Sequence, residues 1–387
     1  MSIRDRRYLI VVAVLVAGVT VVAALGPRRV ADAYSSWATS LQTTAEDAPQ
    51  ALLDEQSAPP GSEAMLLVVT DDDGRGAAFA LLTTAPDGPA VLVTIPAPLY
   101  DLLPGYGIFP LGDAMAFEGT DLTVLTTSNA LGVRIDGVLV LSAAELSSLV
   151  GDGVVIDLAS PLLVEDDDGT VVRVAAEGER TRSGEVVASL FIEEGDGDQL
   201  ALLERQAAAW EGVVRHVGND AALVDQIADA AGPDAALAAG LFAAAGADDL
   251  EVTVPPLAQV GAGSDEGFEA QEAEVSVFVV RRLPHLALSD GPRSRVEILN
   301  GNGQLQTTRT ASEVLVRAGY RIVRTDNAEN FDFAATIIVA QGRANADEAR
   351  RAVTALGTGD LRLELQAPSG IIDVSIIVGA DIATGEG

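Results

Sequence analysis

The sequence predicts an α/β protein: an N-terminal transmembrane helix, a layered α/β (αβα) domain, and a small α+β C-terminal sandwich domain. Three observations carry this. Tyr8–Leu25 is apolar except for Thr20. Between residues 63 and 285, short apolar strand-like runs alternate with helix-like segments, the interleaving that builds layered sheets. From 295 to 387 the order reads β-α-β-β-α-β-β, a two-layer arrangement with a half-exposed sheet. The expected division is 1–29 cytoplasmic tail and span, 30–62 stalk, 63–285 layered domain, 286–294 linker and 295–387 sandwich.

Eighteen helical residues cover about 27 Å, close to the hydrocarbon thickness of a bilayer. Arg4, Arg6 and Arg7 precede the run; Pro27, Arg28 and Arg29 follow it. The stronger basic cluster predicts a cytoplasmic amino terminus and an extracytoplasmic bulk, hence a single-pass cell-membrane protein. A cleaved signal peptide is the alternative, since Ala31-Asp32-Ala33 has the form of a cleavage site. In the stalk, Tyr34, Trp37, Leu41, Leu52 and Leu53 recur at roughly helical spacing until Pro59-Pro60-Gly61.

In the layered region, strands are expected at Met65–Thr70, Phe79–Thr84 and Val91–Ile95, with a turn at Pro86-Asp87-Gly88. Leu122–Ala130 reads as a helix stopped by Gly132, and Gly137–Leu141 as a strand. Ser142 with Glu145 three residues on forms a capping box. Val154–Leu158 is a strand, and Val164–Val174 a hairpin around Asp166-Asp167-Asp168-Gly169. Asp198–Val217 is a long helix, Asp220–Gly246 is helical with a break at Gly232-Pro233, and Val275–Val280 is expected as a last strand. After the linker Ser289–Ser294, strands are expected at Arg295–Asn300, Tyr320–Arg324, Ala335–Ala340, Leu361–Leu365 and Val374–Val378. Helices are expected at Thr307–Ala318 and Asp347–Leu356.

Charge and composition remove several classes. The net charge is −33 with 24 basic side chains, all Arg, against 57 acids. Residues 1–29 hold five Arg and one Asp, net +4; residues 293–387 hold ten Arg and twelve acids, net −2; the middle carries the remaining −35. Such acidity opposes nucleic acid, which needs cations facing phosphates. Without Cys there is no disulfide, thiolate site or thiol nucleophile. His216 and His285 are too few and too far apart for a His-rich zinc site. The acidic turns Asp71–Gly74 and Glu165–Gly169 lack the alternating ligands of an EF-hand and read as solvated turns. Gly301-Asn302-Gly303 is too short for a phosphate loop and reads as a tight turn.

Residues 63–285 resemble the catalytic domain of the LytR-CpsA-Psr family. Thr94-Ile95-Pro96-Ala97-Pro98-Leu99-Tyr100 is similar to its SIPRDLY, Leu103-Pro104-Gly105-Tyr106-Gly107 to its IPGYG, and Pro110–Gly119 to its KINAAYAYGG. Leu131-Gly132-Val133-Arg134-Ile135-Asp136-Gly137 is similar to the LTGIPIDHY turn, Leu149–Ile156 to the VDALGGVEV strand, and Glu204-Arg205-Gln206 to the ERQ opening the long helix. The resemblance implies a membrane-anchored, extracytoplasmic phosphotransferase attaching polyprenyl-pyrophosphate-linked glycopolymers to peptidoglycan, with magnesium. It also implies polyprenyl lipid, cell-wall glycopolymer and other envelope proteins as partners.

The departures point the other way. Phosphoryl transfer is mostly positioning and neutralisation of anionic oxygens. Where the family has Arg and Asp, this chain has Pro96-Ala97-Pro98; the metal position falls near Ala77-Ala78-Phe79. Family arginines fall near Asp73, Ile192, Glu194, and Ala201 or Leu202. Of the family positions, Asp71, Arg205 and Gln206 remain. The expectation is a non-catalytic binding or scaffolding member with no cofactor and no metal. The alternative is an active phosphotransferase in which Arg75, Arg173, Arg180 or Arg182 compensates, and only there does magnesium enter.

Residues 295–387 resemble the LytR cell-envelope C-terminal domain. Arg295-Val296-Glu297-Ile298-Leu299-Asn300-Gly301 matches its RVEVLNG, Leu315-Val316-Arg317-Ala318-Gly319-Tyr320 its LRARGF, and Ile377-Val378-Gly379-Ala380-Asp381 its VLGAD. Leu305-Gln306-Thr307 replaces the usual GLA.

Overall fold

The structure, a computed structural model, describes residues 62–85, 88–166, 168–195, 198–246, 250–261, 266–365 and 370–382. The expected span over Tyr8–Leu25 and the stalk up to residue 61 lie outside the described residues, as do Pro86 and Asp87 of the expected turn.

Five strands open the described residues: β1 (Glu63–Thr70), β2 (Gly76–Thr84), β3 (Ala90–Ile95), β4 (Leu99–Leu103) and β5 (Gly107–Pro110). Helices α1 (Leu111–Glu118) and α2 (Thr120–Leu131) precede β6 (Gly137–Ser142), α3 (Ala143–Val150) and β7 (Asp152–Leu158). The hairpin β8 (Leu162–Glu165) and β9 (Val171–Ala175) leads to β10 (Gly178–Ser183) and α4 (Gly184–Ile192). Then come α5 (Gln199–Gly218), α6 (Ala221–Ala231), α7 (Ala235–Gly246), β11 (Glu251–Thr253), β12 (Leu257–Val260), β13 (Gly267–Ala270) and α8 (Glu272–Arg282). The chain continues through β14 (Arg295–Asn300), α9 (Leu305–Arg317), β15 (Arg321–Asn327), β16 (Ile337–Gln341), α10 (Ala346–Leu356), β17 (Asp360–Glu364) and β18 (Val374–Val378).

The central sheet has the order β11-β3-β2-β1-β6, with β1 parallel to β6 and antiparallel to β2. Every residue of β1 after Glu63 is buried, which explains its unbroken apolar run: both faces are covered. Met65, Leu67 and Val69 join a core with α3, α4, α5, α6 and α7. Ala64, Leu66 and Val68 join a second core with the end of α2 and with α8. The layering is therefore helix, sheet, helix. Ser142 and Glu145 form the expected capping box: the Ser142 hydroxyl accepts from the Glu145 N–H at 3.2 Å, and the Ser142 N–H donates to the carboxylate at 2.8 Å.

One expected strand is a helix. Val275–Val280 lies inside α8 although its β-branched run favours a strand. Val275 and Val279, four apart, are the buried residues of this helix. Glu272 and Glu274 occupy the first turn and Arg281 and Arg282 the last, complementing the helix dipole. Tertiary packing and end charges outweigh propensity. Ala221–Gly246, long and apolar enough by composition to cross a membrane, is two helices separated by a tight turn at Gly232–Asp234. Gly218 of α5 and Gly246 of α7 approach so closely that an added Cβ on Gly218 would sit 2.2 Å from the Phe242 carbonyl.

The C-terminal sheet has the order β15-β14-β18-β16-β17, with α9 and α10 sharing its apolar core. Its elements follow the expected β-α-β-β-α-β-β order. The Asn300 side chain accepts from the N–H groups of Asn302 and Gly303, and Gly303 takes φ +76°, so Asn300–Gly303 is the expected tight turn. Leu102 and Leu125 from the layered region belong to this same core. The Asn129 amide joins the two parts as a strand would, donating to the Ile322 carbonyl at 2.9 Å and accepting from its N–H at 2.8 Å. Arg321 pairs with buried Asp101 at 2.7 Å, and Arg309 with Glu118 at 2.6 Å. Arg293, at the end of the linker segment, is buried against α2. Burial, then the neighbouring Arg321, pushes its pKa down to about 10.

Candidate functional site

Parallel strands aim their carboxyl ends at one edge, where open α/β sheets place ligands. Here those ends are Thr70 of β1 and Ser142 of β6. The turn after β1 carries Asp71. Its carboxylate accepts from the N–H groups of Asp73 at 3.0 Å and Arg75 at 2.9 Å, and Gly74 takes φ +76°. Asp71 is thereby a turn-forming residue. Arg75, at the end of that turn, forms an ion pair with Asp113 of α1. Gly112 makes this approach feasible, because a Cβ there would sit 2.5 Å from the Gly76 carbonyl.

Arg205 and Gln206 lie on the first half of α5 and are both buried. Gln206 donates to the carbonyls of Ala77 at 3.1 Å and Phe191 at 2.8 Å. Arg205 donates to those of Glu193 at 2.8 Å and Glu194 at 2.7 Å. A helix leaves its last carbonyls unpaired and partly negative. The last turn of α4 has no basic residue of its own. Gln206 from α5 therefore serves the last turn of α4, and Arg205 the two residues just beyond it. Gln206 also ties that end to β2. The structure brings Gln206 to the strand that follows the Asp71 turn, and directs Arg205 to the exit of α4.

Of the other arginines that could compensate, Arg180 and Arg182 are engaged by nearby backbone carbonyls. Arg180 donates to the Glu177 carbonyl at 3.0 Å. Arg182 donates to the carbonyls of Ala176 and Gly178, and burial followed by the charge of Arg180 lowers its pKa. Arg173 stands exposed on β9. The carboxylates nearest this edge already have partners. One Asp71 oxygen accepts from two backbone N–H groups, Asp113 pairs with Arg75, and no group of three Asp, Glu or His side chains converges among the described residues.

Leu103–Gly107 forms the turn of the β4–β5 hairpin. Tyr106 stacks on Phe117 with ring centroids 5.0 Å apart, and Phe109 meets Phe117 edge-on at 5.2 Å. His216 contacts the Val150 carbonyl at 3.2 Å, as a satisfied helix histidine does. His285 contacts Thr83 at 2.9 Å, and burial followed by the charge of Arg134 lowers its pKa. The residues that sequence reasoning missed are those joining the two parts: Asp101, Asn129, Arg293 and Arg321. Asn129 and Ile322 are 193 residues apart, and no local pattern marks such a pair.

The fold thus defines a three-layer α/β protein joined to an α+β module. Residues 293–381 match the family model described as LytR cell envelope-related transcriptional attenuator, which accords with the resemblance read in residues 295–387. No curated protein matches the chain. Among solved structures, the chain is similar to TagV of B. subtilis, at 18% identity and TM-score 0.47, over 59% of this chain and 98% of that one. It is similar to TagT bound to LIIa-WTA, at 20% identity and TM-score 0.47, over 59% and 91%. A transcriptional regulator from Enterococcus faecalis is similar at 15% identity and TM-score 0.45, over 58% and 87%.

Proposed function

We propose that this chain is a non-catalytic, LytR-CpsA-Psr-like protein of the cell envelope that binds or scaffolds during cell-wall glycopolymer assembly. It is anchored by Tyr8–Leu25 with its amino terminus in the cytoplasm and its bulk outside. Polyprenyl lipid, glycopolymer and other envelope proteins are its candidate partners. The observation that carries the reading is the engagement of Arg205 and Gln206 by the carbonyls of Glu193, Glu194, Ala77 and Phe191. A diphosphate clamp needs cations aimed at the ligand. Here a guanidinium donates to main-chain carbonyls and Arg75 is paired with Asp113. In this reading Asp71, Arg205 and Gln206 are structural residues.

The test is magnesium-dependent hydrolysis of a polyprenyl pyrophosphate by the full chain in neutral detergent. The expected result is no release of phosphate above a detergent blank. Steady turnover that disappears with Arg205→Ala, in a protein that remains folded, would make the chain an active phosphotransferase instead.

A further inference from the structure

Away from the sheet edge, a cleft of about 940 Å³ opens where the layered region meets the C-terminal module. Its walls are α2, the 133–136 and 284–290 segments, and α9. The volume lies within the range of ligand sites, roughly 300–1,000 Å³. Its accessible apolar lining is Val124, Ile135, Pro284, Ala287 and Leu288, above the buried Leu125, Val133, Leu286 and Val316. The charged lining holds Asp121, Asp136, Asp290 and Glu313 against Arg134 and Arg317, so it is net −2.

The distribution of partners sharpens this. Arg134 is spent on Asp136 at 2.6 Å and on the Ser62 carbonyl at 2.6 Å. Glu313 shares Arg309 with Glu118. Asp121 lies 3.7 Å from Arg309, with its side chain 82% exposed. Asp290 is exposed on the 284–290 segment, across from α2. Acids therefore stand on three different walls of a cleft whose accessible lining is part apolar, part polar. One compact cation would meet a single wall, whereas a chain carrying several cations and apolar side chains would meet all three. An anionic headgroup would face net repulsion, whatever Arg317 contributed.

We propose that this cleft binds a basic, apolar peptide segment of a partner protein. Its Lys or Arg side chains pair with Asp290, Asp121 and Glu313, its apolar side chains cover Val124, Ile135 and Leu288, and a main-chain carbonyl meets Arg317. The proposal is independent of whether the sheet edge is catalytic. The acidity of the surrounding region steers such a segment toward the cleft.

The test is fluorescence anisotropy with the full chain in neutral detergent, against a blank of detergent alone. The probes are a labelled ten-residue peptide alternating Leu and Lys, and its Leu–Glu counterpart. The Lys peptide is expected to bind and the Glu peptide not to. Asp121→Asn combined with Asp290→Asn weakens binding roughly tenfold, the sum of two exposed pairs. Asp157→Asn with Glu179→Gln, both on the exposed β7–β10 face, removes the same charge elsewhere and leaves affinity unchanged. Equal binding of both peptides, equal weakening by the two double variants, or no binding at millimolar peptide would overturn the proposal. So would an acyl-chain amphiphile displacing the peptide while itself resisting the Asp121/Asp290 changes, because the cleft would then be a lipid site.

Discussion

Gln206→Met separates a structural glutamine from a ligand-binding one. The side chain is 1% exposed and spends its amide on the carbonyls of Ala77 and Phe191. Methionine nearly matches its volume, so the cavity contribution is small. What remains is two carbonyls deprived of a donor. Each such loss costs about 1–3 kcal/mol, giving about 2–6 kcal/mol in all. For a domain of this size that lowers Tm by roughly 5–15 °C. Trp210 reports the event locally, since it lies one turn along α5 and packs on Phe191 with ring centroids 4.6 Å apart. The measurement is thermal unfolding followed by Trp210 fluorescence in a Trp37→Phe background. Gln206→Glu adds a sign check. A carboxylic acid donates only when protonated, and its folded-state pKa is raised at this buried site. The folded state then holds the extra proton, so the variant is weakest at neutral pH and regains stability as pH falls. An unchanged Tm in Gln206→Met would refute the reasoning, because it would mean that the two bonds hold nothing together.

Further outcomes follow from other contacts. Asn129→Leu strips the Ile322 peptide of both partners and should cost about 2–5 kcal/mol, seen as earlier proteolysis between the two parts. Gly218→Ala forces a Cβ to 2.2 Å from the Phe242 carbonyl and should destabilise by about 1–3 kcal/mol or more in denaturant titration. Arg293 is buried with a 3.3 Å bond to the Ala130 carbonyl, so Arg293→Met should leave the unfolding midpoint level or raised. Burial raises the Asp381 pKa, but hydrogen bonds from Thr358 and Thr336 overcome this and hold it below the usual carboxylate range. His285 is also lowered, by burial and then by Arg134. In both cases the unfolded chain binds the proton more readily, so their contributions hold at neutral pH and are lost on acidification. The His285 contribution goes as pH drops below about 6.5, and that of Asp381 below about 4. Asp381→Asn should flatten the lower limb of a Tm-against-pH curve.

The elements legible in the sequence are those with one strong local cause. Continuous apolar runs gave β1 and β3; the Ser142–Glu145 pair gave α3; Asp198 and the apolar stripe gave α5. The elements that escaped are set by neighbours far along the chain. The burial pattern of β5 is exposed or intermediate throughout, and β5 exists through its pairing with β4. β13 pairs with β4 through Phe268 and Leu99, residues distant in sequence. Val275–Val280 misled because β-branching is a weak preference, whereas burial of Val275 and Val279 on one helical face is specified by the fold.

At the site, the residue types were legible but their direction was not. Glu204-Arg205-Gln206 suggests a ligand clamp, yet Arg205 and Gln206 turn onto main-chain carbonyls at the end of α4 and on β2. The reason lies in what α4 lacks. With no basic side chain in its last turn, that helix end needs a donor from elsewhere, and α5 supplies it. This bears on the net −35 of the middle region as well. Surface acids act weakly beyond the screening length of about 8–10 Å, so the total says little about one pocket. The decisive charges are Arg75 and Arg205: Arg75 pairs with Asp113 at the surface, and buried Arg205 donates to the backbone. An anionic ligand at this edge would have to displace those contacts before gaining its own. A cationic segment at the Asp121–Asp290 cleft competes with Arg309 for Asp121 and Glu313, while Asp290 is exposed.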